Sequence, residues 1–401
     1  MGHENRTVAL VIPALALGGG IRAMASFLHR AISESGRYVP SMVSLATSVG
    51  DPDSVRLLSP RSWPRGARIS SHRDEHWSYL HVGAMFAEFE FQRYRPRRVL
   101  TELLNRYDLI QVVAGTPAWA LTTRDVDRPV CAFVASTARA ERVTRIRRAT
   151  GCRKLWIQAM THLVRSIEPR ATRHVAHVFA ESHYTRRLIS GFVEEERLSV
   201  GVPGVDTDAF HPASCRGDGY ILSVGRFSDC RKNVRLLFEA YSRLRRRMAV
   251  VPRLVLAGSA PPEEDWALAV SLGIAASIEM HERVPRETLA DLYRGATIFV
   301  LSSDEEGLGI VILEAMASGL PVISTQCGGP ATAVVEGETG FLTPVGDPDA
   351  LAERMQQVLR DGSLRQRMGK AGRRLAEERF SIAAAGRTYL EKYDALLGIG
   401  A

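Results

Sequence analysis

Cysteine is sparse. Cys131, Cys152, Cys215, Cys230 and Cys327 stand far apart, odd in number and without a CxxC pair. That argues against a disulfide framework or a thiolate zinc site and leads us to expect a reducing, cytoplasmic setting. No run approaches the ~18 apolar residues that a bilayer-spanning helix requires. Lysine is nearly absent beside abundant arginine, a bias that points to a GC-rich coding sequence more than to chemistry. No GxGxxG follows the first strand-like run, and no acidic residue stands where a dinucleotide ribose would need one, so a dehydrogenase is disfavoured. No nucleic-acid-binding module is visible either, and no nucleic-acid partner is expected.

The composition that is present, 45% hydrophobic and 24% charged, is that of a globular chain with ample core. At 401 residues it suits two domains of roughly 150–200 residues each. The net charge of +8 is lopsided: residues 1–200 hold 29 Lys+Arg against 18 Asp+Glu, and residues 201–401 hold 23 against 26. The positive half calls for an anionic partner or surface, or is a solvated arginine-rich face. The opening VALVIPALALGGG has the look of a secretory h-region ending in Ala-x-Ala, but Arg6 is its one clear positive charge. With IRAMASFLHRAISESG behind it, the segment reads as strand, glycine turn (Gly18, Gly19, Gly20) and helix rather than as a cleaved leader.

The chain is organised around the stretch from Thr297 to Pro330, TIFVLSSDEEGLGIVILEAMASGLPVISTQCGGP. TIFVLSS is apolar without alternation, a buried strand. In DEEGLG, Gly307 and Gly309 allow close approach of the backbone to a ligand. A helix is predicted from Ile310 to Ser318, with Gly319 at C′ and Pro321 preventing continuation, and PVIST is the next strand. Such a unit presents free N–H groups at a helix start, a ready anion site. Glu306 and Glu314 bracket it. Carboxylates beside an anion site need a reason, such as accepting hydroxyl hydrogen bonds.

Glu306 and, eight positions on, Glu314, set within EGLGIVILEAMASGLPVI, resemble the retaining GT-B glycosyltransferases of family 4. The resemblance covers nearly the whole chain. It implies two doubly wound, Rossmann-like α/β domains facing across a cleft. Residues 1–203 would form the acceptor side, residues 204–380 the nucleotide-sugar domain, and residues 381–401 a helix crossing back to the first. The strand and helix alternation gives doubly wound domains on its own, with ligand at the C-terminal strand ends.

The resemblance also implies roles. Arg226 and Lys232, in YILSVGRFSDCRKN, hold a diphosphate whose negative charge grows as the glycosidic bond breaks. The Gly18–Gly20 turn and the backbone from Gly307 through Leu308, Gly309, Ile310 and Val311 assist them. Glu314 accepts the ribose hydroxyls, and Glu306 lies against the donor sugar and the developing positive charge at its anomeric carbon. Val284 and Arg286, in ERVP, contact the base mainly through backbone; an arginine there suits uracil better than guanine. The departing phosphate oxygen takes the acceptor's proton, so neither a separate base nor a metal is required. On the plain alternative, Glu306 is favourable charge before a helix start and Glu314 a solvated helix residue.

One departure stands out. The family usually places a histidine after the strand PVCAFVAS, near the sugar's 6-position; here Ser136 and Thr137 occupy that place, which leaves the donor sugar open. Ser136, Thr137, Arg139 and Arg142 fall on the acceptor side. From Arg139 to Arg173 there are ten Lys or Arg and two Glu, with Leu155, Trp156, Ile157 and Leu163 interspersed. That segment grips an anionic acceptor, lies on an anionic membrane, or is a plain exposed helix pair. His162, His174, His177 and His183 read as packing or surface residues. Asp-x-Asp triplets at 51–53, 125–127, 206–208 and 347–349 sit in turns or linkers, and none is assigned to metal. The irregular stretch from Pro60 to about Glu75 receives no assignment.

The expected function is retaining hexosyl transfer from a nucleotide diphosphate sugar, with UDP favoured, to a hydroxyl acceptor. Natural product, small metabolite and cell-envelope glycan stay open as acceptors, as does the oligomeric state. No cofactor beyond the co-substrate is expected. The rivals are a non-catalytic nucleotide-sugar-binding homologue, motivated by the missing histidine, and a GT-B-fold sugar-nucleotide epimerase. A glycoside hydrolase would need carboxylates about 5–9 Å apart flanking the scissile bond.

Overall fold

The computed structural model describes residues 6–13, 15, 19–74, 77–213 and 219–399. Contacts divide the chain into two compact units, Met1–Pro203 with Ala385–Ala401, and Gly204–Ala384.

The first unit is built on strands β1 (Arg6–Pro13), β2 (Tyr38–Leu45), β3 (Ile69–Arg73), β4 (Ser78–Val82), β5 (Leu109–Ala114), β6 (Val130–Val134), β7 (His177–Ala180) and β8 (Leu198–Val200). They form one sheet in the order β3-β4-β2-β1-β5-β6-β7-β8, parallel except for the antiparallel edge pair β3–β4. Helices α1 (Gly20–Glu34), α2 (Glu90–Arg93), α3 (Arg98–Leu104), α4 (Ala138–Arg148), α5 (Gly151–Ala171) and α6 (His183–Ile189) connect them. β5 and β6 are buried at every position, which is why they read as unbroken apolar runs. α1 turns Met24, Phe27, Leu28 and Ile32 inward at helical spacing. The stretch left unassigned from Pro60 holds a 3₁₀ turn, Pro60–Arg65, and then β3. β3, ISSHR, is an exposed edge strand without an apolar face, so alternation could not reveal it.

The second unit has β9 (Tyr220–Arg226), β10 (Leu254–Ser259), β11 (Ile278–Glu282), β12 (Ala296–Leu301), β13 (Val322–Thr325) and β14 (Gly340–Thr343). All are parallel, in the order β11-β10-β9-β12-β13-β14. Helices α7 (Val234–Arg247), α8 (Glu263–Ser271), α9 (Arg286–Gly295), α10 (Ile310–Ala317), α11 (Pro348–Arg360) and α12 (Gly362–Leu375) alternate with them. α10 ends at Ser318 with Gly319 at φ 69°, and the Asp347 carboxylate caps α11 by accepting from Asp349 N and Ala350 N. The strand order reverses between β9 and β12. In doubly wound sheets the groove outside the C-terminal strand ends at such a reversal is where ligands bind.

A last helix, α13 (Ile382–Leu397), begins in the second unit, and from Ala385 the chain belongs to the first. Tyr389 donates to Gly201 O at 2.6 Å and packs against Phe179. Tyr393 donates at 2.8 Å to Gln111, whose amide is fully buried in mid-strand β5. The last helix thus satisfies a polar group that would otherwise be costly there. No helix among the described residues is long and apolar enough to cross a membrane.

Candidate active site

The loop after β9 and the loop after β12 are laced together at the reversal point. Asp304 N donates to Arg231 O at 2.7 Å, and Ser302 Oγ to Lys232 O at 3.0 Å. Asn233 takes a left-handed backbone, caps α7 by accepting from Leu236 N, and donates to Asp304 Oδ1 at 2.7 Å. Side chains follow the same pairing. Arg231 bridges Asp229 at 2.8 Å and Glu305 at 3.1 Å, and Lys232 Nζ meets Glu306 Oε1 at 2.6 Å. Ser303 Oγ donates to that same Glu306 oxygen at 2.5 Å. The Lys232 and Glu306 side chains are only 17% and 11% exposed, so this pair is mostly shielded from water and hard to break without a substitute. Arg226, at the end of β9, is 56% exposed and 3.9 Å from Asp229, free to swing toward an anion.

Glycine lets the second loop come this close. Gly309 caps α10 at φ 90°, a conformation that side-chain-bearing residues rarely adopt. A Cβ on Gly329 would lie 1.9 Å from Gly307 O. Beyond the cap, Ile310 and Val311 open α10, and their N–H groups have no carbonyl a turn earlier to bond. Leu308 is fully buried and pins the loop.

Glu314 lies one turn into α10. Tyr293 Oη, fully buried on α9, donates to Glu314 Oε2 at 2.8 Å. Burial pushes the Glu314 carboxyl up to about 7, against the stabilising pull of Tyr293 and Arg286. A carboxyl poised near neutrality ionises readily once hydroxyl donors reach it. Arg286 opens α9; its guanidinium lies 3.0 Å from Asp206 and over the Phe210 ring. Val284 precedes it in the loop after β11.

The reversal point of the second unit therefore gathers Arg226, Lys232, Glu306, the Gly307–Val311 segment and Glu314. Sequence reasoning missed Asp229, Arg231, Glu305 and Tyr293, which hold the gathered groups in place. Charge alternation between SDCRKN and SSDEEG was the available signal for the first three. Nothing in the local sequence marks Tyr293. A cavity of about 990 Å³ in this unit is at the other end of the sheet, beside Gly219, Pro252, Thr297 and Gly319, where strands begin. It lies outside the C-terminal edge where doubly wound sheets bind ligands.

In the first unit Gly19 caps α1 and Gly20 is its first residue, while Gly18 is outside the described residues. Ser136 and Thr137 are buried, and Thr137 Oγ1 caps α4 by accepting from Ala140 N. Arg139 is exposed on the wall of a cavity of about 530 Å³, together with Thr137, Arg165, Glu168 and Tyr184. Arg142 is half-buried and paired with Glu90. Glu168 accepts from Ala138 N at 2.8 Å, and burial raises its carboxyl to about 7. Burial lowers His177 to about 4, and its Nε2 lies 2.8 Å from Ser199 Oγ, a packing role. Asp51, Asp53 and His81 come within 4.8 Å of one another. His81 Nε2 is 2.8 Å from Asp51, and Arg68, 3.2 Å from Asp53, gives the cluster a counter-charge of its own. Cys131, Cys152, Cys230 and Cys327 are free thiols, and Cys215 lies outside the described residues.

Two Rossmann-like units with a charged reversal point define the GT-B class of fold. Solved structures of that class superpose along nearly the whole chain. Sucrose-phosphate synthase from Thermosynechococcus elongatus is similar with a TM-score of 0.74 at 20% identity, covering 98% of this chain and all of that one. Anabaena HepE, solved in complex with UDP and glucose, matches with a TM-score of 0.67 at 15% identity over 97% of this chain and all of that one. The sequence model of the glycosyl transferases group 1 family matches residues 206–375, within the second unit. The D-inositol 3-phosphate glycosyltransferase of Streptomyces avermitilis is 36% identical over 205 residues, 46% of this chain and 44% of that protein. A GDP-mannose-dependent phosphatidylinositol monomannoside mannosyltransferase of Mycolicibacterium smegmatis is 32% identical over 51% of this chain and 58% of its own length. The chain spans about half the length of the curated relatives it matches.

Proposed function

We propose that the chain is a retaining glycosyltransferase that moves a sugar from a nucleotide diphosphate sugar to a hydroxyl acceptor. One observation carries the reading: the shielded Lys232–Glu306 pair, 2.6 Å apart, beside the unbonded start of α10 at the sheet reversal. A cation, a set of aimed N–H groups and a carboxylate in one place suit a ligand that is anionic at one end and becomes cationic at the other. Arg226, Lys232 and the N–H groups from Gly309 to Val311 receive the diphosphate and the charge it gains on leaving. Glu306 then faces the sugar, where positive charge grows at the anomeric carbon. Glu314 accepts the ribose hydroxyls, with Tyr293 fixing its second oxygen. The acceptor side is assigned to the first unit, to Ser136, Thr137 and Arg139 after β6, with Arg142, paired to Glu90, further along the same helix.

We favour UDP over GDP. Arg286 and Val284 stand near the base position in this reading, and an arginine cannot accept from the ring N–H and amino group of guanine. HepE was solved with UDP-glucose, whereas the Mycolicibacterium relative is described as GDP-mannose-dependent, so the nucleotide is worth measuring directly. Calorimetry with UDP-glucose, UDP-N-acetylglucosamine and GDP-mannose, in chelator, is the test. A UDP-sugar should bind equally with and without chelator, because the phosphate's counter-charge is protein-borne. It should also raise the melting temperature, since it binds only the native state. Absence of binding by all three would sink the reading, and binding that chelator abolishes would sink the metal-free phosphate site.

A further inference from the structure

The chain between β2 and β3 contributes nothing to either sheet, yet it is built with care. Val55 N donates to Ala84 O at 2.8 Å, Ala87 N to Val55 O at 3.2 Å, and Arg68 N to Asp53 O at 3.0 Å. The Asp51, Asp53 and His81 cluster lies beneath as a polar floor, with Arg68 ion-paired to Asp53. From this base the 3₁₀ turn Pro60–Arg65 projects. Trp63 Nε1 donates to Arg56 O at 2.9 Å, and its ring stands edge-on to Phe86 at 6.4 Å. The tryptophan is therefore held in one pose and still left 49% exposed. Leu58 is 88% exposed and Leu57 40%. Single exposed leucines are ordinary; two beside a fixed, exposed tryptophan form an apolar tip.

Around that tip runs mostly positive charge, beside the Glu88 carboxylate that accepts from Leu58 N at 3.5 Å. Arg56, Arg61, Arg65 and Arg68 line one cavity of about 180 Å³, with Ser54 and Ser62 between them. Arg61 and Arg65 are exposed, and Asp53 is the one carboxylate on the lining. In the neighbouring segment Glu90 of α2 pairs with Arg142 of α4, a helix whose later residues Arg145, Arg147 and Arg148 are exposed. Tryptophan settles at the headgroup level of a bilayer, leucine goes below it, and arginine meets lipid phosphates. Each arginine held close to an anionic surface contributes about fivefold in affinity.

We propose that residues 56–68 are a membrane-docking loop for an anionic lipid surface, with Leu57, Leu58 and Trp63 entering the interface and the arginine-lined cavity taking a lipid phosphate. This inference is independent of sugar transfer. It is tested by co-sedimenting the whole chain with vesicles of phosphatidylcholine alone and of phosphatidylcholine mixed equally with phosphatidylglycerol. The chain should pellet with the mixed vesicles only. Leu57→Ser with Leu58→Ser, and separately Arg61→Glu with Arg65→Glu, should each weaken that partition by about tenfold or more. Both pairs are at the surface, so their melting temperatures should match the parent's, which separates lost docking from lost folding. Arg153→Glu with Lys154→Glu, on α5, should weaken it by less. Failure of the parent to pellet, or loop variants that pellet as it does, overturns the proposal. So does binding of inorganic phosphate at the arginines without vesicle binding, which would make the cavity a site for a free anion.

Discussion

The two sheets are wound alike, but their reversal points are furnished differently. Where β9 meets β12, charged side chains meet in pairs: Arg231 with Glu305, Lys232 with Glu306. Where β1 meets β5, the chain offers a glycine turn at Gly19 and Gly20 and, past β5, Gly115 and the buried hydroxyl of Thr116. Each unit also holds one carboxyl that burial raises to about 7. Glu314 has a phenol for company and stands on the helix that opens at the reversal point. Glu168 is used up on Ala138 N–H, capping α4 from a neighbouring helix. A displaced carboxyl is thus not a site by itself; the groups it faces decide whether it serves a ligand or a fold. Substitutions at three positions probe that contrast.

The largest effect should follow from Glu306→Ala, which strips the second unit's reversal point of the carboxylate nearest the anion site. If Glu306 stabilises charge that exists only in the transition state, kcat should fall by roughly 10²–10³-fold with nucleotide affinity changed only a few-fold. Steady-state kinetics and calorimetry on the same preparation separate the two. Because Lys232 would lose a shielded partner, Glu306→Gln serves as the control, since its amide oxygen can still accept from Ser303 Oγ. Small and equal changes in rate and affinity would return Glu306 to the plain role of charge ahead of a helix.

Why this region was readable while its counterpart was not follows from what each asks of the sequence. The loop after β12 needs glycine at 309 for its backbone and at 329 for clearance from Gly307 O, and it needs Glu306 and Glu314 one helix start apart. Such demands leave fixed residues at fixed spacing. Buried parallel strands are likewise plain, since β5 and β6 must be apolar on both faces. Tyr293 reaches Glu314 from 21 positions away, and Glu168 reaches Ala138 from 30. Contacts of that kind are set by how helices pack, and neither partner's neighbours announce them. β3 escaped for the opposite reason, as an exposed edge strand with no apolar side to alternate.

An intermediate effect is expected from Glu314→Gln. Ribose hydroxyls donate best to an ionised acceptor, and this carboxyl, raised to about 7, is mostly protonated below neutrality. Affinity for a nucleotide sugar, whose diesterified diphosphate stays ionised throughout, should therefore strengthen about tenfold from about pH 6 to about pH 8, following the ionised fraction. The glutamine variant should bind about 10- to 100-fold more weakly at the upper pH, through loss of charge-assisted bonds, and should show no such slope. An unchanged slope in the variant would assign the pH dependence elsewhere and remove Glu314 from the ribose.

The smallest effect on turnover, none, is expected from Glu168→Gln, and its readout is stability. The carboxyl's native value of about 7 lies above the ordinary 4.5, so the folded chain holds a proton there that the unfolded chain gives up sooner. The stability this contributes is complete below about pH 4.5 and is lost as pH rises through about 7. At pH 8 the wild type must keep a buried carboxylate, with Glu141 opposing its charge and Arg142 and Arg165 only partly offsetting it. Glutamine carries no charge at any pH, and its carbonyl can still accept from Ala138 N. The variant should match the wild type near pH 4.5 and exceed it at about pH 8 by up to roughly 3 kcal/mol, at ~1.4 kcal/mol per pH unit of displacement. Denaturant unfolding followed at both pH values measures the difference. Equal stability of the two chains at pH 8 would mean that Glu168 ionises in place without cost. Its likeness to Glu314 would then be one of burial alone.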